Sequence, residues 1–256
     1  MSGELKSESQ PKGKQAAGES TCDVGIVCAL KIEISPFLDM ADHVNKVRGG
    51  DFVFYGVKLG DRRIAIVETG AGKTPATKGT QALIDGHNPP WILSAGLSGG
   101  LAEETRTGDI VVANTVSLDE ENAVLNIGQQ QEDDQPGVHN GKLVTVKNIV
   151  RLVTEKQALH ERTGALAVDM ETYHVARVCV ERKKPFAAIR AISDDLSADL
   201  PPEILGILGP KGAVRAGAVF SALLNRPSCV TDLWALRERA LQSGERLAKF
   251  LKKMLG

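Results

Sequence analysis

Aromatic side chains make up only 4% of this 256-residue sequence, and the few present do not interleave with a basic stripe. Single-stranded nucleic acid needs such stacking platforms, so no nucleic-acid partner is expected. Excess charge of either sign is missing as well. With 31 basic against 32 acidic side chains the formal net charge is -1, which leaves no overall field to hold polyphosphate or an anionic membrane. A small-molecule partner suits that balance better. The four cysteines, Cys22, Cys28, Cys179 and Cys229, form no C-x-x-C pair, which argues against a zinc cluster or a dithiol redox site. Long apolar runs are absent too: nothing approaches the ~18 residues of a membrane helix, and the first twenty residues lack the apolar core of a secretory signal. The expectation is a cytoplasmic protein with reduced thiols, no membrane span, no metal and no cofactor. Residues 1–21, rich in Ser, Gly, Gln, Lys and Glu, read as a disordered tail, and residues 22–256 as a single domain.

What is present is an α/β pattern. Val24 to Leu30 is apolar throughout and ends at a charged turn, as a central strand buried on both faces would. Phe52–Leu59 and Arg63–Glu68, joined at Gly60-Asp61, read as a hairpin. The loop Thr69-Gly70-Ala71-Gly72-Lys73 leads into a helix that runs to about Gly86. Trp91–Ala95 is a short strand feeding the run Gly96-Leu97-Ser98-Gly99-Gly100, and Asp109–Val116 is another strand. The polar stretch Asp119–Asn140 reads as a mobile loop, Leu143–Val146 as a strand, and Asn148 as the cap of a helix. Met170–Arg182 has helical periodicity, and Phe186–Ile192 is the last buried strand. Pro201–Leu208, Ala213–Leu224 and Thr231–Leu255 read as amphipathic helices. Strands mixed with helices, then helices alone, predict a three-layer α/β/α fold around a central mixed β-sheet.

Three acidic residues fall just after predicted strands or at a strand-to-helix junction: Glu33, Glu171 and Asp194. Ligands of open α/β sheets bind at the carboxyl ends of the strands, so these carboxylates can converge on one crevice. From placement alone, a carboxylate after a strand is more often a helix cap or a solvated loop group.

The segments Gly25-Ile26-Val27-Cys28-Ala29-Leu30-Lys31-Ile32-Glu33, Thr69-Gly70-Ala71-Gly72-Lys73, Ala95-Gly96-Leu97-Ser98-Gly99-Gly100-Leu101, Gly108-Asp109-Ile110-Val111-Val112, Val168-Asp169-Met170-Glu171 and Arg190-Ala191-Ile192-Ser193-Asp194 stand in an order that resembles the nucleoside phosphorylase superfamily. The pattern is most similar to its methylthioadenosine/S-adenosylhomocysteine nucleosidase branch. Thr154-Glu155-Lys156, Gly164–Glu171, Leu200-Pro201-Pro202 and Asn225-Arg226-Pro227 are similar to hopanoid-associated nucleosidases, which act on an adenosine bearing a large lipid at C5′.

The resemblance implies a nucleoside phosphorylase-like fold, a purine nucleoside as substrate and a homodimer. It also implies roles. The residue matching Asp194 protonates purine N7, the one matching Glu33 orients and deprotonates the attacking water, and the one matching Glu171 binds the ribose hydroxyls. Arg190 matches an arginine near the water or anion site, and Met170 a residue that packs against the sugar. Gly70 and Gly72 match a loop whose backbone approaches ribose and nucleophile, and Gly96 and Ser98 lie in the glycine-rich segment beside it. Ser193 is a partner for Asp194 or a structural turn hydroxyl, and Met170 is equally readable as helix core. The chemistry is coherent: an oxocarbenium-like state asks one carboxyl to be protonated as acid and another to be ionised as base. Two positions depart from the branch, Leu97 where a serine is usual and Val150 where an adenine-stacking Phe is usual. Related phosphorylases pair phosphate with arginines near the first strand and before the glycine-rich run; here those places hold Lys31 and Ile92–Ser94, which favours water as nucleophile.

Other motifs carry less. Gly96-Leu97-Ser98-Gly99-Gly100 matches a G-x-S-x-G elbow, but only seven residues follow before Gly108, too few for the long helix an esterase elbow opens into. Gly72-Lys73-Thr74 imitates the end of a P-loop, yet Val67 stands where its first glycine belongs. Glu171 and His174 have di-iron spacing on a helix, without a second such pair.

Overall fold

Five apolar residues in a row have no polar face to offer water, and Val24–Cys28 is buried along its whole length as strand β1. The computed structural model describes residues 20–121, 123–127, 135–207 and 229–256. Alternate side chains of β1 serve two different cores, because successive Cβ atoms point to opposite faces of a sheet. Val24, Ile26 and Cys28 pack with Ile34 and Phe37 of helix α1 (Lys31–Asp39) and with Leu247, Ala248 and Leu251 of the C-terminal helix (Cys229–Leu255). Val27 packs with Ala76, Leu83 and Ile84 of helix α2 (Lys73–His87) and with Val175, Val178 and Cys179 of the helix Thr172–Glu181. Strand β4 (Arg62–Glu68) repeats the division, Ile64 and Ile66 facing one core and Ala65 and Val67 the other. Helices thus cover both faces of a mixed sheet, the three layers expected.

The remaining strands are β2 (His43–Gly49), β3 (Phe52–Leu59), β5 (Ile92–Gly100), β6 (Ile110–Leu118), β7 (Ala123–Asn126), β8 (Val138–Thr145), β9 (Ala167–Asp169) and β10 (Phe186–Asp194). Helix α3 is Val153–Thr163, α4 is Thr172–Glu181, α5 is the single turn Ile204–Ile207, and α6 is the C-terminal helix. From one edge the strands run β2-β3-β4-β1-β5, and β5 then pairs with both β10 and β9. Because β10-β6-β8-β9 are joined in series, β5 closes a five-strand ring, and β7 is attached outside it through β6.

The closure splits the partners of β5. Parallel β1 pairs with Ile92–Ser94 and antiparallel β9 with Gly99–Gly100. Residues 95–98 therefore have no strand on that side among the described residues. A gap beside the carboxyl end of β1 is where an α/β sheet binds ligands.

Several local expectations change. The glycine-rich run is the second half of β5 rather than a loop after it. Part of Asp119–Asn140, expected as a mobile loop, forms β7 and the start of β8; β7 pairs antiparallel with β6. Helix α3 begins at Val153 instead of after Asn148, because Glu155 accepts from the amides of Arg151 and Leu152 and Asp199 from that of Val153. These carboxylates satisfy the free amides of a helix start, and nothing comparable serves Asn148. Strand β2 is a further strand that the pattern does not signal: six of its seven residues are exposed, so it carries no buried alternation. The helix expected at Ala213–Leu224 and nearly all of the tail lie outside the described residues. Cys22, Cys28 and Cys179 are free and buried, with burial pushing the Cys179 thiol up to about 12. No described helix is long and apolar enough to cross a membrane.

Candidate active site

Glu33 sits in the first turn of α1, one loop after β1, and is 7% exposed. Its Oε2 accepts from the amides of Ala29 and Leu30, both at 2.8 Å, so the carboxylate serves the orphan N–H groups of its own helix start. Its Oε1 reaches across to the gap in β5 and accepts from the Leu97 amide at 3.1 Å. The cap thus fixes a carboxylate whose other oxygen faces the gap. Burial pushes the Glu33 carboxyl up, while Arg190 and these backbone amides pull it back.

Arg190, on β10 and 3% exposed, is held by Asp169, the acid two residues before Glu171. Its Nε and Nη2 donate to Asp169 Oδ2 at 2.9 and 2.8 Å, and Nη2 also lies within bonding distance of Ser94 and Thr172 hydroxyls. Asp169 is held in turn by Thr145 at 2.7 Å and by the Thr172 hydroxyl. A planar guanidinium anchored along one edge is fixed in direction. The remaining nitrogen, Nη1, is buried without a hydrogen-bond partner among the described residues. A methyl group on Gly96 would lie 2.9 Å from both Nη1 and Glu33 Oε1, so only glycine leaves both groups where they are.

Glu171 closes the cluster from the N-terminus of α4. Its Oε1 accepts from the Gly72 amide at 2.6 Å, and its Oε2 from the Met170 amide at 3.3 Å. Gly70 and Gly72 carry φ of 87° and 94°, a left-handed turn open to glycine at little cost, and that turn aims the Gly72 amide at the carboxylate. Burial, then the charges of Asp169 and Glu33, push Glu171 up to about 8, against the pull of Arg190.

Asp194 ends β10, four residues beyond Arg190, and lies beside Gly99 of β5. Ser193 donates to its Oδ1 at 2.8 Å, and Lys156 of α3 approaches its Oδ2 at 2.5 Å. Burial raises the carboxyl, and Lys156 and Ser193 draw it down. Its neighbour goes the other way. Burial would raise Asp195, but hydrogen bonds from Ser197 and Thr107 outweigh it and hold that carboxyl well below the usual range. Two adjacent carboxyls pushed apart by their surroundings are the arrangement acid–base chemistry uses.

A family model described as the phosphorylase superfamily matches residues 23–130 and 120–225. The chain belongs to the phosphorylase superfamily. A Staphylococcus aureus 5′-methylthioadenosine/S-adenosylhomocysteine nucleosidase is 23% identical over 227 residues, covering 79% of this chain and 99% of that protein. Among solved structures, the Helicobacter pylori enzyme of the same name, complexed with a substituted pyrrolidin-3-ol, aligns with a TM-score of 0.69 and 19% identity over 92% of this chain and 98% of its own. Helicobacter pylori futalosine hydrolase aligns with a TM-score of 0.68 and 19% identity over 90% and 96%.

Within this superfamily member the expected residues fall into two groups along β5 and β10. Glu33, Glu171, Arg190, Gly70, Gly72 and Gly96 surround the gap. Asp194, Ser193 and Ser98 stand at the far end of the two strands, where the Ser193 hydroxyl is also 3.3 Å from the Ser98 carbonyl; the Ser98 hydroxyl is buried without a partner among the described residues. Met170 and Val150 each pack on the cluster that includes Leu101, Val144, Val146 and Leu159. Val150 also lines a cavity of about 410 Å³ with Asp119, Lys147 and Arg162, a cavity that touches none of the four charged groups above. Where the branch has a serine, Leu97 serves Glu33 through its backbone amide.

Lys156 and Asp169 were missed as functional candidates. Lys156 falls on the same helical stripe as Val153 and Leu159, so a charged residue in an apolar row was the available signal. Asp169 offered none beyond its place beside Glu171.

The raised Glu171 carboxyl makes a prediction about stability. A carboxyl neutral when folded and ordinary when unfolded stabilises fully below its unfolded value of 4.5 and loses that contribution as pH rises to about 8. Glu171→Gln keeps the acceptor for the Gly72 amide but cannot ionise. Thermal unfolding of the wild type is expected to weaken between pH 5 and 9 more steeply than that of Glu171→Gln, by several degrees. Parallel pH curves would refute the assignment.

Proposed function

We propose that this protein hydrolyses the N-glycosidic bond of a purine nucleoside, with a 5′-substituted adenosine of the methylthioadenosine or S-adenosylhomocysteine type as substrate and free base as product. The observation that carries the reading is the separation of two buried acidic stations. Glu33, beside Arg190 and the gap in β5, suits a water that must be oriented and deprotonated; Asp194, at the far end of the same strands, suits a leaving base. Water attacks the anomeric carbon and gives its proton to Glu33. The carbon–nitrogen bond breaks with its electron pair moving onto the base, and Asp194 protonates N7. Glu171 accepts hydrogen bonds from the ribose hydroxyls. The named relatives support this reaction class, since the similar proteins are nucleosidases and a futalosine hydrolase.

Phosphate is the second reading, favoured by the buried Nη1 of Arg190, which has no partner among the described residues. The test separates the two. The protein is incubated with methylthioadenosine, S-adenosylhomocysteine, adenosine, inosine and an adenosine bearing a lipid at C5′, with and without phosphate, and free base is measured by chromatography. Base released at equal rates without phosphate is the expected result. Release only with phosphate favours phosphorolysis, and no release with any nucleoside overturns both.

A further inference from the structure

Lys156 is fully buried, yet it sits on an apolar helix face beside Leu159. Its ammonium has three N–H groups and three acceptors: Asp194 Oδ2 at 2.5 Å, the Asp195 carbonyl at 3.0 Å and the Asp194 carbonyl at 3.2 Å. An apolar side chain would fill this site without the cost of burying a charge, so the lysine is not there for packing. The Asp195 carboxylate is turned to Thr107 and Ser197, and β5 presents Gly99, where an added methyl would lie 3.2 Å from Asp194 Oδ2 and 3.6 Å from Lys156 Cε.

The contacts also constrain Asp194. One carboxylate oxygen accepts from Ser193 and the other from Lys156, which is the pattern of an ionised carboxylate. An ionised carboxylate has no proton to give a leaving purine. The nearest one is on Lys156 Nζ.

Resting on the nucleosidase reading above, we infer that Lys156 is the positioning residue that supplies Asp194 with the proton it delivers to the base. As the glycosidic bond breaks and its electron pair passes to the purine, Asp194 protonates N7 and a proton crosses from Lys156 Nζ to the Asp194 carboxyl. Lys156 is left neutral and Asp194 again a carboxylate. Once the base departs, solvent water returns a proton to Lys156 while Glu33 releases to solvent the proton taken from the attacking water, so the cycle balances.

A nucleoside methylated at N7 tests this, because its base leaves neutral without being protonated. Lys156→Met is expected to lower purine nucleoside turnover by roughly 10²-fold or more, the range of general acid catalysis, and to leave the N7-methylated nucleoside within about threefold. Lys156→Arg keeps the charge but holds its proton too firmly to pass it on, so it is expected to fail on the same substrate. Arginine restoring purine turnover would overturn the inference, as would equal losses on both substrates in a Lys156→Met protein of unchanged melting temperature. If Lys156→Met does not fold, Lys156→Met/Asp194→Asn removes both charges of the buried pair; it should be no slower than Asp194→Asn, and a further loss above about tenfold would sink the relay. A wild type that cleaves no purine nucleoside would overturn the functional reading and the relay together, whereas wild-type cleavage matched by Lys156→Arg removes the relay alone.

Discussion

Asp194→Asn is expected to lower kcat for a purine nucleoside by about 10³-fold while changing KM by no more than a few-fold, the signature of losing a group that acts only as the bond breaks. The amide oxygen can still accept from Lys156, and the carbonyls of residues 194 and 195 still hold that ammonium, so the fold should persist with some loss of stability. What disappears is the carboxyl that delivers a proton to N7. Binding of the nucleoside measured by calorimetry should stay near the wild-type value. Turnover close to wild type would mean that the base leaves by another route and that Asp194 is a structural strand end.

The second large effect lies in the cluster around Arg190. Removing one partner of a buried charge group leaves the others uncompensated, which costs about 3–5 kcal/mol. Arg190→Met should therefore lower the melting temperature by roughly 10 °C at neutral pH, given a shift of a few degrees per kcal/mol in a chain of this size. The direction with pH follows from the neighbours. Arg190 pulls both Glu33 and Glu171 down, and without it both carboxyls rise further above their unfolded value of 4.5. Groups raised on folding contribute fully below that value and lose their contribution as pH climbs through the folded one, so the variant's deficit should widen as pH passes about 8 and be larger at pH 9 than at pH 5. Urea unfolding at the two values measures it. A loss below 1 kcal/mol or one independent of pH would show that Arg190 is not the counter-charge of this cluster.

Both predictions rest on groups that stand far apart in the sequence. Glu33, Asp169, Glu171 and Arg190 span more than 150 residues, and what joins them is the way β5 changes partners part-way along its length. That change leaves the Leu97 amide free for Glu33 and sets Gly96 where a side chain would strike both Glu33 and Arg190. The sequence shows the glycines but gives no reason for Gly96, because nothing local to it requires one.

Lys156 makes the same point from the other side. A lysine among helical charges is ordinary, and Glu155 beside it is a plain helix-start acceptor. Only the packing of α3 against the ends of β5 and β10 turns Lys156 inward and places it on Asp194.

By itself the sequence determined the elements whose residues decide their own burial: the doubly apolar β1, the β3–β4 hairpin, helices α2 and α4, the last strand β10, and the ordered segments that carry Glu33, Glu171, Arg190 and Asp194. These are written in local periodicity and turn chemistry, which a chain carries at every point. Tertiary structure alone decided that β5 closes a ring, that an edge strand with an exposed surface lies at β2, and that Asp169 holds Arg190 while Lys156 holds Asp194. Those outcomes depend on groups brought together from distant positions, where burial strengthens each charge contact and makes any unpaired partner costly, and neither effect exists until the chain has folded.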